Sequence, residues 1–331
     1  MDRTSLDTLI VGAGVTGLTT AICLAELGMR VRIWTAEPAQ ATTSVAAGAM
    51  WGPYRVEPVD RVRVWSAETL EVLQQLAKDP ATGVRLVSGV EASRTPTEPP
   101  EWGHQLDGFR ICEASELPDG FTTGWRFTAP VVDMPTYLGY LERRFTEAGG
   151  HIEIRRVNSI NEATGVAPIV VNCTGMGSRD LVHDVDLTPV RGQLVVVANP
   201  GITEHFSEDT GLSPDLLHYC PHGDTVILGG TAQPGAWSRK PDPATAAAIV
   251  ARCAGIEPRL RDAPVIDHRV GLRPTRPRVR VAQQTVNGAR VIHNYGHGGA
   301  GVTLSWGCAT EVAAVARSGP PSLPPPVDHS R

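Results

Sequence analysis

The stretch Leu6-Asp7-Thr8-Leu9-Ile10-Val11-Gly12-Ala13-Gly14-Val15-Thr16-Gly17 decides the fold. Leu6 to Val11 is a short apolar run closing on glycine, the pattern of a strand buried in a parallel sheet. Val15 to Leu27 carries helical spacing and stops at Gly28, a helix C-terminal signal. Arg30 to Trp34 then alternates as a second strand. Strand, glycine turn, helix and strand within about 30 residues make a βαβ unit of the length a dinucleotide site needs. Gly12 would permit the tight turn, Gly14 the close approach of backbone to a pyrophosphate, and Gly17 the packing of helix on strand. Ala13, Val15 and Thr16 complete that expected cradle. Glu37, just past the second strand, stands where a ribose-binding acid is expected; its other reading is a solvated turn carboxylate before Pro38. Nicotinamide and flavin both suit this unit.

At the far end lies His293-Asn294-Tyr295-Gly296-His297-Gly298-Gly299-Ala300-Gly301, followed by helix-patterned Thr303 to Ala316. So much glycine speaks against a regular strand, because glycine loses the most conformational entropy there. The expectation is a loop that brings backbone N–H groups and a helix N-terminus to negative charge. His293 and His297 are four apart in this expected loop; with no third ligand in view they read as bracing residues rather than a metal site.

Between these ends the elements interleave. Asp60 to Leu76 looks helical, and residues 80–125 look like short strands and loops. Asp133-Met134-Pro135 opens a helix with an N-cap candidate and an early proline, ending at Gly149-Gly150. Ile152 to Val157, Pro168 to Asn172, Gln193 to Ala198 and Asp224 to Leu228 are strand candidates, and Pro243 to Cys253 is helical. The expected class is α/β, with an α+β second part. Residues 1–50, 133–180 and 286–317 would form a Rossmann-like nucleotide domain, interleaved with a mixed-sheet substrate domain from 51–132 and 181–285. Residues 318–331, rich in proline, would be a disordered tail.

At 331 residues the chain can bury one large core or two linked domains. A net charge of −5 gives no basic footprint for nucleic acid. No apolar run reaches the length of a membrane span. Six scattered cysteines without C-x-x-C spacing suit buried thiols in a reducing cytoplasm.

Ala41-Thr42-Thr43-Ser44-Val45-Ala46-Ala47-Gly48-Ala49-Met50-Trp51-Gly52-Pro53-Tyr54 carries three hydroxyls, then small residues, then aromatics. The hydroxyls suit a pyrophosphate and the small residues a flat ring; a polar loop before a packed helix is equally compatible. Together with "VVNCTG" at 170–175, "RGQ" at 191–193, "LGGT" at 228–231, "GLRPTRP" at 271–277 and "HNYGHGGAGVTLSWG" at 293–307, it resembles the D-amino-acid oxidase family of FAD enzymes, which includes D-aspartate oxidase. The resemblance covers most of the chain.

The resemblance implies FAD as cofactor and a D-amino acid and O2 as substrates, with hydride passing from the substrate Cα to the flavin. It implies that Gly12, Ala13, Gly14, Val15, Thr16 and Gly17 cradle the pyrophosphate with Thr42, Thr43 and Ser44. Gly48, Ala49 and Met50 would lie by the flavin ring, Val157 by the adenine, and Thr174 and Gly175 beside the cofactor. Gly298, Gly299, Ala300, Gly301, Val302 and Thr303 would face the flavin N1–O2 edge. Arg273 would clamp the substrate carboxylate, the Gly299 carbonyl would accept from the amine, and Tyr219 would support the carboxylate. Placing Tyr219 there assumes a one-residue deletion; without it the position falls on His218. A second tyrosine of some relatives would fall on Asp215, and Ala300 stands where some carry tyrosine. Arg276, Arg278 and Arg280 would face solvent or acidic side chains. The rival readings are an oxidase of acidic D-amino acids or of glycine and sarcosine, a flavin dehydrogenase with another acceptor, and a nucleotide sensor. A homodimer is compatible with all of them.

Overall fold

The structure, a computed structural model, describes residues 6–53, 56–208 and 216–318. In chain order the elements begin with β1 (Thr8–Val11), α1 (Val15–Glu26), β2 (Val31–Thr35), α2 (Val59–Leu76), β3 (Val84–Ser93), β4 (Asp107–Ile111) and β5 (Thr123–Val132). Next come α3 (Met134–Glu147), β6 (His151–Ile154), α4 (Ile160–Thr164), β7 (Ile169–Asn172), α5 (Ser178–Leu181), β8 (Thr188–Ala198), β9 (His205–Glu208) and β10 (His218–Pro221). The chain closes with β11 (Thr225–Gly229), β12 (Gln233–Pro234), α6 (Pro243–Ile256), β13 (Val265–Val286), β14 (Ala289–His297) and α7 (Gly301–Arg317).

Among the described residues these strands form one sheet, ordered β4-β5-β3-β9-β10-β11-β8-β13-β14-β7-β1-β2-β6, with β12 on β8. The end containing β14, β7, β1, β2 and β6 is parallel. Of the other end, β3 and β9 pair parallel and the remaining neighbours pair antiparallel. β13 borders both, pairing β8 over its first half and β14 over its second.

The expected βαβ start is present as β1, α1 and β2, whose buried Ile10, Leu18, Ile22 and Ile33 fix the helix on the sheet. Helices α1, α2, α3 and α7 share the main core, with Trp65, Leu73, Leu138, Leu141, Phe145, Leu304 and Val312 inside it. Each fully buried leucine or phenylalanine there contributes about 1.5–3 kcal/mol. Gly307 lets α7 lie directly on α2, since a Cβ there would overlap the Trp65 backbone. Trp306 Nε1 donates to the Tyr137 hydroxyl at 2.8 Å, so the one buried polar edge of that ring is satisfied.

Two expectations are corrected. Within residues 80–125 the strands are longer than expected: β3 has ten residues and pairs along its whole length with β5, which begins at Thr123. The glycine-rich segment from His293 is not a loop until Gly298, because β14 continues through His297 between β7 and β13. Residues 319–331 of the expected tail lie outside the described residues. Among the described residues no helix is long and apolar enough to cross a membrane.

Candidate functional site

The carboxyl ends of β1, β7 and β14 lie side by side on the parallel half. After β1 the chain passes through α1 to β2 on one side, whereas β7 lies on the other. Such a switch in strand order opens a crevice at the carboxyl ends. Gly12 ends β1 at φ +107°, a backbone that side chains rarely adopt, and a Cβ there would stand 2.5 Å from the Cys173 carbonyl oxygen. On Gly17 a Cβ would overlap the Gly12 carbonyl, so α1 reaches the turn only because that residue is glycine.

α1 starts from Gly14 and α7 from Ala300, and neither N-cap supplies a side-chain hydrogen bond. Val15 N donates to Ser44 Oγ at 2.9 Å. A Cβ on Gly14 would stand 3.1 Å from that same oxygen and 3.9 Å from Thr42 Oγ1. The absence of a side chain keeps open the space between the first turn of α1 and residues 42–44. Thr42 Oγ1 itself donates to the Ala39 carbonyl at 2.7 Å, and Thr43 packs against Gly271. Helix N-terminal amides around a glycine-lined gap are the donor set a pyrophosphate requires, and the residues therefore fit a dinucleotide. Ala13 is fully buried beneath the turn, and the Thr16 carbonyl accepts from Thr20 Oγ1 at 2.7 Å.

On β7, Asn172 Oδ1 receives Thr174 Oγ1 at 2.8 Å and Thr174 N at 3.2 Å, which sets the turn at Gly175, φ +54°. Val157 packs with Leu9, Val11, Trp34 and Val170, beyond the end of β6. Thr303 Oγ1 is committed to Gly52: it accepts from Gly52 N at 3.2 Å and donates to Gly52 O at 3.1 Å. This ties the start of α7, with Gly301 and buried Val302, to the segment that holds Gly48, Ala49 (φ +44°) and Met50. Gly298, φ +55°, turns the chain from β14 into Gly299 and Ala300.

Across the sheet, Arg273 on β13 points to the same region. Its Nη1 donates to the Thr231 carbonyl at 2.9 Å. The guanidinium lies on Gly192, where a Cβ would stand 2.5–2.6 Å from its nitrogens, and its Cδ lies 3.6 Å from a Cβ position on Gly299. Sequence reasoning quoted "RGQ" and "LGGT" but gave no role to Gly192 or Thr231, which form the bed of this guanidinium. His218 joins the cluster, with Nε2 3.2 Å from a Cβ position on Gly48.

Tyr219 is not brought there. It stacks on Phe206 with ring centroids 5.8 Å apart and packs on the α6 side with Val195, Val226 and Cys253. Neighbours in a strand point to opposite faces, so one of His218 and Tyr219 must turn away. Burial pushes the Tyr219 hydroxyl above its ordinary range. Asp215 lies outside the described residues.

The remaining expected residues have other partners. Arg276 reaches Asp184 at 3.0 Å and Asp186 at 3.2 Å; Arg280 reaches Asp184 at 3.3 Å and donates to the Tyr295 hydroxyl at 2.6 Å; Arg278 is exposed. Glu37 is half-buried and lies 3.4 Å from Arg239. His293 and His297 are buried on β14, not in a loop, and burial lowers both to about 4. His293 Nδ1 stands 3.4 Å from Asn172 Nδ2.

Residues 7–315 match the family described as FAD dependent oxidoreductase. A D-amino-acid oxidase of Rubrobacter xylanophilus is 51% identical over 93% of this chain and 95% of its own. A D-amino-acid oxidase of Streptomyces coelicolor is 48% identical over 95% and 98%. The glycine oxidase structure of Geobacillus kaustophilus superposes with a TM-score of 0.79 at 20% identity, covering 94% of each chain, which is a likeness of fold.

Proposed function

The chain belongs to the D-amino-acid oxidase family of FAD-dependent oxidoreductases, and we propose from its site how it performs that oxidation, with O2 as the electron acceptor. The net reaction converts a D-amino acid, water and O2 into a 2-oxo acid, ammonia and H2O2. When bound, FAD supplies the two-electron acceptor for the hydride on the substrate Cα.

The observation that carries the reading is Arg273 lodged between Gly192 and Gly299, on the same side as the two uncapped helix N-termini. A guanidinium fork matches a carboxylate through two parallel hydrogen bonds. With one N–H anchored on Thr231, Arg273 is held in orientation before substrate arrives. The Gly299 carbonyl takes the substrate amine. These two contacts fix two of the four directions at Cα; hydrogen and side chain exchange the other two between enantiomers, so only one enantiomer directs its hydrogen toward the cofactor. The start of α7 would bring partial positive charge to the bound cofactor and favour negative charge there. Gly12, Gly14 and Gly17 would hold the pyrophosphate with Ser44, and Val157 would border the adenine. All six cysteines are free, which supports the cytoplasm as the compartment.

The test is the absorbance spectrum of the purified protein without oxygen, before and after addition of D- and L-amino acids and then air. Bleaching by D-isomers alone, with recovery and peroxide in air, is expected. Bleaching without recovery in air would move the acceptor to another carrier. A yellow protein that no D-amino acid bleaches would overturn the reaction.

A further inference from the structure

The "RGQ" motif at 191–193 makes contacts that the oxidation itself does not use. Arg191, on β8, is only 4% exposed. Its Nε donates to the Ser238 carbonyl at 2.8 Å and its Nη2 to the Lys240 carbonyl at 2.7 Å. Gln193 donates to the Asp242 carbonyl at 2.8 Å and accepts from Asp242 N at 2.9 Å. Gly235 N donates to the Pro189 carbonyl at 2.8 Å. Residues 235–242 are thereby pinned along β8 as a strap, and both carbonyls that flank Arg239 are held by one buried guanidinium. From this strap Arg239 crosses to the turn after β2. Its Nη2 donates to the Ala41 carbonyl at 2.6 Å, and its Nη1 reaches Glu37 Oε2 at 3.4 Å. The turn is also braced from within: Thr35 Oγ1 donates to the Glu37 carbonyl at 2.8 Å and Thr42 Oγ1 to the Ala39 carbonyl at 2.7 Å. It leads straight into Thr42, Thr43 and Ser44, and Ser44 Oγ accepts from Val15 N in the first turn of α1.

We propose that Arg239 is a cofactor-positioning residue: from the antiparallel end of the sheet it holds the 37–41 turn, so that Thr42, Thr43 and Ser44 meet the start of α1, and it offsets the charge of Glu37. The inference rests on the dinucleotide reading of residues 12–44 and not on the identity of the substrate. Glu37 stands at the position of a ribose-binding acid, and a carboxylate there repels the pyrophosphate that the α1 amides receive. A cation paired with Glu37 relieves that repulsion without entering the phosphate cradle. The hydrogen bond to Ala41 acts separately, by fixing the backbone from which the three hydroxyl residues follow. The Arg239 and Glu37 side chains are 51% and 40% exposed, so the charge part of the effect is open to screening by salt. The strap that carries Arg239 is rigid because Arg191 and Gln193 hold it to β8, and retention of the cofactor is therefore coupled to a strand that also forms the bed of Arg273.

The experiment follows release of FAD from the loaded protein after dilution, and its rebinding, through flavin fluorescence in wild type, R239M and R239K. It is run at about 0.1 M and about 1 M salt, where the screening length falls from about 10 Å to about 3 Å. R239M should weaken FAD about ten-fold at the lower salt, mainly through faster release, the usual effect of losing one hydrogen bond from a charged donor. R239K keeps a charge and a donor and should recover part of the loss. The gap between wild type and R239M should narrow at the higher salt. Denaturant midpoints of the FAD-free proteins should coincide, because Arg239 acts on the cofactor and not on the fold. Unchanged FAD release in R239M overturns the proposal. So does a loss that ignores salt and is not recovered by lysine, or one matched by an equal drop in the FAD-free midpoint, which would make Arg239 a structural brace. A wild-type protein that binds no FAD would bring down the dinucleotide reading, and this inference with it.

Discussion

Tyr295 donates its hydroxyl hydrogen to Asp184 Oδ2 at 2.6 Å, joining the end of β14 to the segment before β8. The same oxygen receives Arg276 at 3.0 Å and Arg280 at 3.3 Å. Burial works to raise the Asp184 carboxyl, but the hydrogen bonds from Tyr295 and Arg276 and the charges of both arginines outweigh it and hold it below the usual range. This carboxylate neutralises two arginines next to the Arg273 segment.

Asp184→Ala should therefore cost about 3 kcal/mol of stability, because it leaves partly buried cations and a hydroxyl without their acceptor. Denaturant midpoints of wild type and variant measure it. FAD content at low temperature should be retained. A loss below about 1 kcal/mol would reduce the cluster to a surface ion pair.

Gly192→Ala addresses the bed of the clamp. A Cβ at Gly192 meets only the mobile end of Arg273, so the fold tolerates it and the guanidinium shifts. The expected result is KM for a D-amino acid raised about ten-fold or more, with FAD binding unchanged, since a displacement near 1 Å costs this much or more. Unchanged steady-state kinetics would show that the guanidinium does not need this seat.

Arg273→Lys keeps the charge and loses the fork; Arg273→Ala loses both. The ordering expected for kcat/KM is wild type, then Lys, then Ala, with the alanine variant down at least about a thousand-fold, roughly the combined effect of a lost bidentate pair and lost orientation. The flavin spectrum of both should match wild type. Near-normal turnover in the alanine variant would remove Arg273 from the site.

His205, His218, His222, His293 and His297 are all lowered to about 4, in each case chiefly by burial. Unfolded, each titrates near 6.5. Above that value neither state binds the proton and stability is level. Between 6.5 and about 4 the unfolded chain takes up more protons, so stability falls with falling pH, by up to about 1.4 kcal/mol per unit for each histidine. Urea midpoints at pH 8, 7, 6 and 5 should be equal for the first two and then drop steeply. A flat profile down to pH 5 would mean that these rings are already charged in the fold.

The βαβ start is legible in the sequence because its signals are local: an apolar run, a glycine that must take φ +107° and a helix stop. The far end is not. Gly296, at φ +86°, sits where the β13 partner jumps from Thr275 to Arg280, so a glycine that argues against a strand is accommodated as an irregularity inside one. Its place between β7 and β13 outweighs local propensity. In β3, Gly89 similarly hides a paired strand, because that glycine makes room for His205 of β9. Arg273 is legible through a stiff, proline-flanked motif. Whether His218 or Tyr219 faces it depends on hairpin register, which loop length alone does not encode.

β13 makes its own contribution to the catalytic cycle. Thr275 pairs with Thr188 on one edge and His297 on the other, so a single strand is laddered at one point to both ends of the sheet. There is no line along which the molecule can fold like a clamshell around its substrate. With β13 paired to both β8 and β14, entry and exit of substrate are expected to come from local displacement of loops and side chains. Heat should reach the two ends together as one calorimetric transition, and whatever tightens the cofactor side will be felt mechanically at the substrate side.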